Sequence, residues 1–232
     1  MSEYFESLTS RLEVFVTCKN LVSADSNPYV YAVAEIFEWE NNVWKSLGVT
    51  EVQKTKEPSF AKRFLINYHF EETQKLKVCI HDSENPEKRC DATLVGGAEC
   101  ELTQIIHAPS QIYKAPLTCS KKKVRGEVSL QMEEMTQCKE LATFLIAGEG
   151  LVKVGGCCAS LKPIFFISRA METGDYQCVY TSEENVGANP EWSECQVTMQ
   201  HLCNGDYDRP IKFEVKNARQ GRYLPMGSTT TT

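Results

Sequence analysis

The strongest constraint in this sequence is an internal repeat that is long enough to hold a whole domain. Three short landmarks recur 132 to 135 positions further along the chain. The pairs are Asn27-Pro28 with Lys162-Pro163, Pro58-Ser59-Phe60 with Pro190-Glu191-Trp192, and Leu76-Lys77-Val78 with Ile211-Lys212-Phe213. A repeat of this length indicates a duplicated domain rather than a solenoid of short units. We therefore predict two domains, residues 1–135 and residues 136–232.

The pattern inside each half is that of β-strands. Leu12, Val14 and Val16 fall at alternate positions, which is typical of a half-buried strand, and later runs rich in β-branched and aromatic residues are separated by turn signals. Eight strands are predicted in the first half, at 12–17, 29–37, 43–52, 63–70, 75–80, 97–102, 111–117 and 124–132. Five are predicted in the second half, at 141–146, 163–169, 176–180, 194–199 and 211–215. A short helical segment is expected at 102–108, and the whole favours an all-β chain of two antiparallel sandwiches.

The second half is too short for a complete copy of the first. The landmarks match Met226-Gly227 to Val95-Gly96, the start of the sixth strand. Counterparts of residues 111–132 are then missing, so we expect the second sandwich to lack its last two strands. Either the natural chain continues past Thr232, or this half is incompletely folded alone and is open to strand addition.

Composition limits where such a chain can work. Eleven cysteines, none in a CxxC pair, favour free thiols in a reducing compartment, so we expect a cytoplasmic protein. The N-terminus lacks the basic and apolar regions of a secretory signal, and no run approaches the roughly 18 apolar residues of a membrane span. The net charge of −6 argues against nucleic acid as a partner.

Four stretches of sequence carry a family resemblance. They are TEVQKTKEPSFAKRF at 50–64, YHFEETQKLKVCIHD at 68–82, LVGGAEC at 94–100 and NPEWSECQVTMQHLCNGDYDRPIKFEV at 189–215. Together they resemble the tandem C2 domains of the copine family. The resemblance implies two Greek-key C2 sandwiches and a calcium-dependent, phospholipid-binding module that also docks proteins. Copines carry a von Willebrand A-type domain after the C2 pair, and nothing in this sequence corresponds to one.

The resemblance also indicates where calcium ligands would lie in the first domain. Calcium takes six to eight oxygen ligands, most of which come from loop aspartates in a C2 site. Two family aspartates are matched by Asn27 and Thr93, which carry no charge. The acids that remain are Asp25, Asp82, Glu84 and Asp91. They could form a weak residual calcium site, or simply a solvated polar loop without an ion.

The second domain departs further from the family pattern. By the same resemblance, Lys162, Asn217 and Arg219 stand at three aspartate positions, and Leu224 roughly matches a fourth. Two fixed cations would oppose a divalent cation by several kcal/mol. We therefore expect no calcium binding in this domain.

Basic residues offer another route to a membrane. Lys162, Arg219 and Arg222 are expected to converge at the loop tips, where permanent positive charge could replace bound calcium. Lys121, Lys122 and Lys123 form a polybasic turn that could contact anionic headgroups, at about 1 kcal/mol per residue. The alternative is a charged turn that keeps a hairpin soluble.

We find no catalytic residues in the sequence. None of the four histidines lies in a motif with a nucleophile or a second ligand, and Cys157-Cys158 has no basic neighbour that would lower a thiol pKa. The sequence thus predicts a peripheral module that binds anionic phospholipid with weak or lost calcium dependence, and not an enzyme. The alternative is a calcium-independent module or regulatory short form that binds a protein partner or another copine-like chain.

Overall fold

The computed structural model describes residues 9–23, 29–70, 72–90, 93–119, 124–136, 138–152, 160–219 and 222–232. The chain divides into two compact units, Met1–Met135 and Thr136–Thr232. Paired strands in both units are antiparallel throughout. All-β folding was predicted and is confirmed.

The first unit contains nine strands among its described residues. They are β1 (Thr9–Lys19), β2 (Tyr31–Glu40), β3 (Val43–Val49), β4 (Gln53–Lys54), β5 (Phe64–His69), β6 (Lys75–Asp82), β7 (Leu94–Glu101), β8 (Ile112–Thr118) and β9 (Val124–Glu134). Eight of them match the predicted strands, and the two-residue β4 was not predicted. This strand pairs with β2 at Tyr31 and Ala32. Two residues are too few to show the alternating pattern by which a strand is recognised in a sequence.

These strands follow one another in the order β3-β2-β6-β7-β8-β9-β1-β5, with β4 beside β2. A single residue pair, Gly97 with Thr118, joins β7 to β8. At this seam Gly96 permits close approach, since a Cβ there would lie 3.0 Å from the carbonyl carbon of Leu117. The strands on the two sides of the seam enclose one core, and the unit is therefore a two-layered sandwich.

The core of the first unit is lined by alternate residues from both layers. On β6 they are Leu76, Val78 and Ile80, and on β1 they include Val14 and Val16, all of them fully buried. A short helix α1 (Leu102–Ile106) follows β7 and adds Leu102 and Ile105 to this core. The helix confirms the segment predicted at 102–108.

The second unit contains six strands and one helix among its described residues. They are β10 (Leu141–Phe144), β11 (Pro163–Ala170), β12 (Tyr176–Thr181), β13 (Cys195–Thr198), helix α2 (Met199–Cys203), β14 (Ile211–Arg219) and β15 (Arg222–Thr231). The sheets are β12-β11-β14-β15 and β10-β13. They repeat the orders β3-β2-β6-β7 and β1-β5 of the first unit. Counterparts of β8 and β9 do not occur among the described residues.

Matching hydrogen bonds fix the correspondence between the two units. In the first unit Thr50 Oγ1 accepts the N–H of Ala34 at 2.9 Å and donates to a neighbouring carbonyl at 3.0 Å. In the second unit Ser182 Oγ does the same, with the N–H of Phe165 at 3.0 Å and a neighbouring carbonyl at 3.0 Å. The buried hydroxyls of Thr50 and Ser182 thus bind the main chain of equivalent strands, β2 in the first unit and β11 in the second.

The strand registers correct one of the sequence landmarks. Ala32 pairs with Asp82 in the first unit, and Pro163 pairs with Asn217 in the second. Lys162 is therefore the counterpart of Tyr31, not of Asn27 as the repeat suggested. The Asn-Pro and Lys-Pro dipeptides differ in place because the loops before β2 and β11 differ in length. Asn27 itself lies outside the described residues.

Candidate functional site

In the first unit two of the predicted calcium ligands, Asp82 and Glu84, lie at the end of β6 and directly after it. Asp82 is the last residue of β6, and its Oδ1 accepts the N–H of Tyr31 at 2.8 Å. One carboxylate oxygen is thus used to hold the start of β2. Glu84, two residues further on, is exposed.

The remaining predicted positions of this site are less informative. Asp25 and Asp91 lie outside the described residues. Thr93, at a family aspartate position, exchanges hydrogen bonds with the main chain of Cys90 at 2.9 and 3.1 Å and contacts His81 Nδ1 at 3.2 Å. Within the described part of the chain, no group of three or more His, Cys, Asp or Glu residues could hold a metal ion.

The corresponding position in the second unit carries an amide. Asn217 is fully buried, and its Oδ1 accepts the N–H of Lys162 at 2.7 Å. Ala218 in turn donates its N–H to the carbonyl of Lys162 at 2.9 Å. Asn217 therefore makes the main-chain contact that Asp82 makes in the first unit, but without its charge.

The loop that follows this position is almost absent in the second unit. Residues 83–93 connect β6 to β7, whereas only residues 220–221 connect β14 to β15. Arg219 and Arg222 pair across this tight hairpin. Leu224, roughly matched to a third-loop aspartate, lies within β15 and pairs with Asn217. The residues assigned to a calcium loop are thus strand residues.

Lys162, Arg219 and Arg222 all lie at the same end of the second unit. Lys162 directly precedes β11, Arg219 ends β14 and Arg222 begins β15. Lys162 Nζ lies 3.3 Å from Glu184 Oε2, with both side chains about half exposed. Such an exposed pair contributes at most about 1 kcal/mol, so it can be exchanged for another anion.

Two exposed valines lie at this end as well. Val186 is 76% exposed, and it is flanked by hydrogen bonds from Asn185 to Pro163 and from Gly187 to Leu161. Val152 is 77% exposed and follows Leu151, which donates its N–H to Ala188 at 2.8 Å. We call these residues the basic–apolar end: Val152, Lys162, Val186, Arg219 and Arg222. Sequence reasoning found the three cations and missed the valines, because single apolar residues in loops have no periodicity.

The loop after β12 is held in shape by Glu183. Its Oε1 accepts the N–H of Ser193 at 2.8 Å, and this hydrogen bond lowers the pKa of the Glu183 carboxyl below its ordinary value. In the first unit Glu51 likewise accepts the N–H groups of Ala61 and Lys62, at 2.6 and 3.2 Å. Both acids therefore have a structural role, since they hold main-chain N–H groups of the loops.

The first unit also has a groove of about 630 Å³ that sequence reasoning missed. Glu35 lies in it and accepts hydrogen bonds from Arg89 at 2.9 Å and Ser46 at 2.8 Å. Burial favours a raised pKa for Glu35, but these hydrogen bonds outweigh it and hold the pKa below its ordinary value. Lys77 and Glu99 form a second pair at 3.6 Å, so the charges of the groove are largely compensated. Strand periodicity in the sequence predicts which strand residues face outward. It gives no signal for Arg89, because this residue lies in the loop between β6 and β7.

The polybasic turn at Lys121, Lys122 and Lys123 lies outside the described residues. In the described part of the chain, helices are too short and too polar to span a membrane.

Comparisons with known proteins agree with this architecture. The C2 domain family model matches residues 10–119. Copine-A of Dictyostelium discoideum is 30% identical over 210 residues, which cover 89% of this chain and 34% of Copine-A. Nicotinic receptor-associated protein 1 of Caenorhabditis elegans is 30% identical over 190 residues, covering 76% of this chain and 30% of that protein. The chain thus spans about a third of the length of the curated relatives it matches.

Among solved structures, a C2 domain of plant Extended Synaptotagmin 1 covers 55% of this chain and 97% of its own, with 22% identity and a TM-score of 0.41. The calcium-bound pair of C2 domains of Extended-Synaptotagmin 2 covers 95% of this chain and 82% of its own, with 13% identity and a TM-score of 0.37.

The sandwich of the first unit and the family match over residues 10–119 define a C2 domain. The second unit repeats the order of its strands. With the similarity to Copine-A across 89% of its length, the chain is a copine-like C2 protein.

Proposed function

We propose that this chain attaches peripherally to anionic phospholipid surfaces through the basic–apolar end of its second unit. The observation that carries the proposal is the β14–β15 hairpin, which pairs Arg219 with Arg222 where the first unit has a long loop. Positive charge is then permanently present at the end of the sandwich. We further propose a cytoplasmic location and a binding role rather than a catalytic one.

Calcium has a small part in this proposal. In the second unit Asn217 is buried and neutral. Lys162 lies beside it, directly before the neighbouring strand β11, and donates its main-chain N–H to the Asn217 side chain, and Arg219 follows two residues later in the chain. A divalent cation there would be repelled by the two basic side chains and would find a neutral amide at the position of the family's aspartate. In the first unit Asp25, Asp82, Glu84 and Asp91 would hold calcium only weakly, because Asn27 and Thr93 replace two aspartates of the family's ligand set.

The two exposed valines complete the argument. A lipid-facing surface gains about 1 kcal/mol per basic residue near anionic headgroups, and apolar side chains add to this when they leave water. Val152 and Val186 are both largely exposed to solvent, and both lie at the end of the unit that carries the cations. This combination supports a surface that touches headgroups and inserts shallowly.

Sedimentation with liposomes tests the proposal. The double variant Lys162→Glu with Arg219→Glu should lower partitioning onto phosphatidylserine-containing liposomes at least about tenfold, and partitioning of the parent should weaken with salt but persist in EGTA. The control is Lys75→Glu with Lys139→Glu, which makes the same change of charge at two exposed positions. Lys75 begins β6 in the first unit and Lys139 precedes β10 in the second, so neither lysine belongs to the basic–apolar end. Equal partitioning of the test and control variants contradicts the proposal.

Protein docking is the second candidate. One relative is named a nicotinic receptor-associated protein, and the compensated ion pairs of the groove around Glu35 suit a polar protein surface better than a lipid headgroup. Loss of liposome binding in all conditions would favour this candidate.

A further inference from the structure

Glu184 is held against Lys162 by the main chain of the second unit. The segment that follows β12 runs beside the start of β11, and three hydrogen bonds join the two. The donor N–H groups and acceptor carbonyls are those of Ser182 and Phe165 at 3.0 Å, Asn185 and Pro163 at 3.0 Å, and Gly187 and Leu161 at 3.1 Å. Lys162 lies between two of these acceptors, and Glu184 lies between two of the donors. The backbone therefore places the acid beside the lysine.

The side chains of Lys162 and Glu184 form an ion pair at the surface. Lys162 Nζ lies 3.3 Å from Glu184 Oε2, and the two side chains are 47% and 43% exposed. Because water reaches both groups, the attraction between them is weak, and a phosphate group can approach the same ammonium. The carboxylate is thus a local rival of any anion that binds Lys162.

The first unit shows which residue corresponds to Glu184. There the side-chain amide of Gln53 donates to a loop carbonyl at 2.7 Å, and in the second unit the side-chain amide of Asn185 does so at 2.6 Å. Gln53 and Asn185 are therefore counterparts. The residues directly before them, Val52 and Glu184, are counterparts as well.

Neither charge of the pair is required by the fold. In the first unit Val52 and Tyr31 occupy the positions of Glu184 and Lys162, and the segment 50–54 is nevertheless joined to β2 in the same way. The ion pair is an addition to a main-chain framework that forms without it. Neutralising Glu184 should therefore leave the fold intact.

Glu184 also lies close to an apolar residue of the basic–apolar end. It is exposed and precedes Val186 by two residues, so their Cα atoms are at most about 7 Å apart. This is within the screening distance of about 8 Å at physiological ionic strength. When Val186 enters a bilayer, the Glu184 carboxylate is carried among anionic headgroups and is repelled by them.

We propose that Glu184 competes with headgroup phosphate for Lys162 and so sets the density of anionic lipid at which the basic–apolar end attaches. This role rests on the proposed attachment to anionic phospholipid. In the free protein the carboxylate contacts the ammonium, and on a membrane a phosphate group replaces it. The cost of breaking the pair is fixed, whereas the attraction of the cations grows with the density of anionic lipid, so only a densely charged surface offsets it. Glu184 is thus a specificity-determining residue that excludes weakly charged membranes.

Liposome sedimentation across a series of phosphatidylserine fractions tests this role. Glu184→Gln removes the rival charge, so half-maximal partitioning should move to a lower phosphatidylserine fraction. At a fraction where the parent is partly bound, partitioning should rise about fivefold, and the gain should fade in about 0.5 M salt. The control is Glu172→Gln, which makes the same change of charge at an exposed position beyond the other end of β11. It should change partitioning less than about twofold.

A double-mutant cycle separates the contact from simple net charge. In a Lys162→Gln background the carboxylate has no ammonium to contact, so Glu184→Gln should raise partitioning only about twofold. An equal gain in the parent and in this background would overturn the role of Glu184. A gain no larger than that of Glu172→Gln would overturn it as well.

The outcomes also distinguish this role from lipid attachment itself. If Lys162→Glu with Arg219→Glu lowers partitioning but Glu184→Gln leaves it unchanged, attachment stands and competition by Glu184 is refuted. If neither the parent nor Glu184→Gln sediments at any phosphatidylserine fraction, both are refuted.

Discussion

Asn217 and Lys162 are joined by a hydrogen bond of 2.7 Å from the main-chain N–H of Lys162 to the side-chain oxygen of Asn217. Asp82 and Tyr31 make the equivalent bond at 2.8 Å in the first unit. A carboxylate and an amide thus perform the same structural task. A family position for calcium can therefore lose its charge and still be required by the fold.

The first prediction follows from the burial of Asn217. Asn217→Asp should destabilise the second unit by about 2–4 kcal/mol, because it places a charge in a fully buried site. It also removes the amide that reaches the carbonyl of Ser160 at 3.5 Å. Thermal unfolding measures the loss. The variant should gain no calcium-dependent stabilisation, and a rise in melting temperature on adding calcium would contradict the prediction.

Asp82→Asn is the matched exchange in the first unit. It keeps the acceptor for Tyr31 and should change stability by less than about 1 kcal/mol. We expect the first unit to bind calcium weakly at best, and this variant should abolish whatever heat of calcium binding calorimetry detects. Micromolar affinity in the parent chain would contradict the expectation.

The second prediction concerns the valines of the basic–apolar end. Val152→Ser with Val186→Ser should reduce partitioning onto anionic liposomes about tenfold, because two apolar side chains no longer leave water. The melting temperature should hardly change, since both side chains are exposed. The control is Val43→Ser with Val124→Ser, which are 60% and 57% exposed on strands of the first unit. A similar loss of partitioning in both double variants would show that membrane insertion is not specific to Val152 and Val186.

The third prediction uses the lowered pKa of Glu183. Because the pKa in the folded state lies below the ordinary value of 4.5, the ionised carboxylate stabilises the fold above that pH. This contribution disappears as the pH falls through the folded-state pKa. Glu183→Gln should therefore lower the unfolding midpoint at about pH 7, and the difference from the parent should shrink by about pH 3.

Glu149→Gln provides the control for Glu183, since it makes the same change of charge at an exposed loop position. If the difference in unfolding midpoint between Glu183→Gln and the parent stays constant with pH, the altered side-chain geometry, and not the loss of ionisation, is responsible.

The fourth prediction concerns thiol chemistry. Burial raises the pKa of Cys18 far above its ordinary value and that of Cys100 to about 12, whereas Cys90 is exposed. Iodoacetamide should therefore modify Cys90 at least about 100-fold faster than Cys18 or Cys100 in the folded protein. Peptide mapping by mass spectrometry measures the three rates. Comparable rates without denaturant would disprove the burial of the two core thiols.

Most strands could be predicted because their signal is local. The alternation at Leu12, Val14 and Val16 is present in any short window of the sequence, and the structure confirms a strand there. The counterpart of Lys162 could not be found this way, because spacing between landmarks does not reveal which loop has changed length. Strand register settles it as Tyr31.

The candidate site was predictable only in part. The cations at Lys162, Arg219 and Arg222 were identified from the family resemblance, and the structure places them at one end of the second unit. The valines beside them and the pairing of Arg89 with Glu35 depend on contacts between residues far apart in the chain. No window of the sequence contains both partners of such a contact.

The seam between the two sheets of the first unit includes the Gly97–Thr118 main-chain pair, whereas no strand pair links the two sheets of the second unit among its described residues. The layers of the second unit are held together by apolar side chains such as Phe165, Trp192 and Val197. Apolar association weakens on cooling and under pressure. Chilling or compression should therefore loosen the packing between the two layers of the second unit.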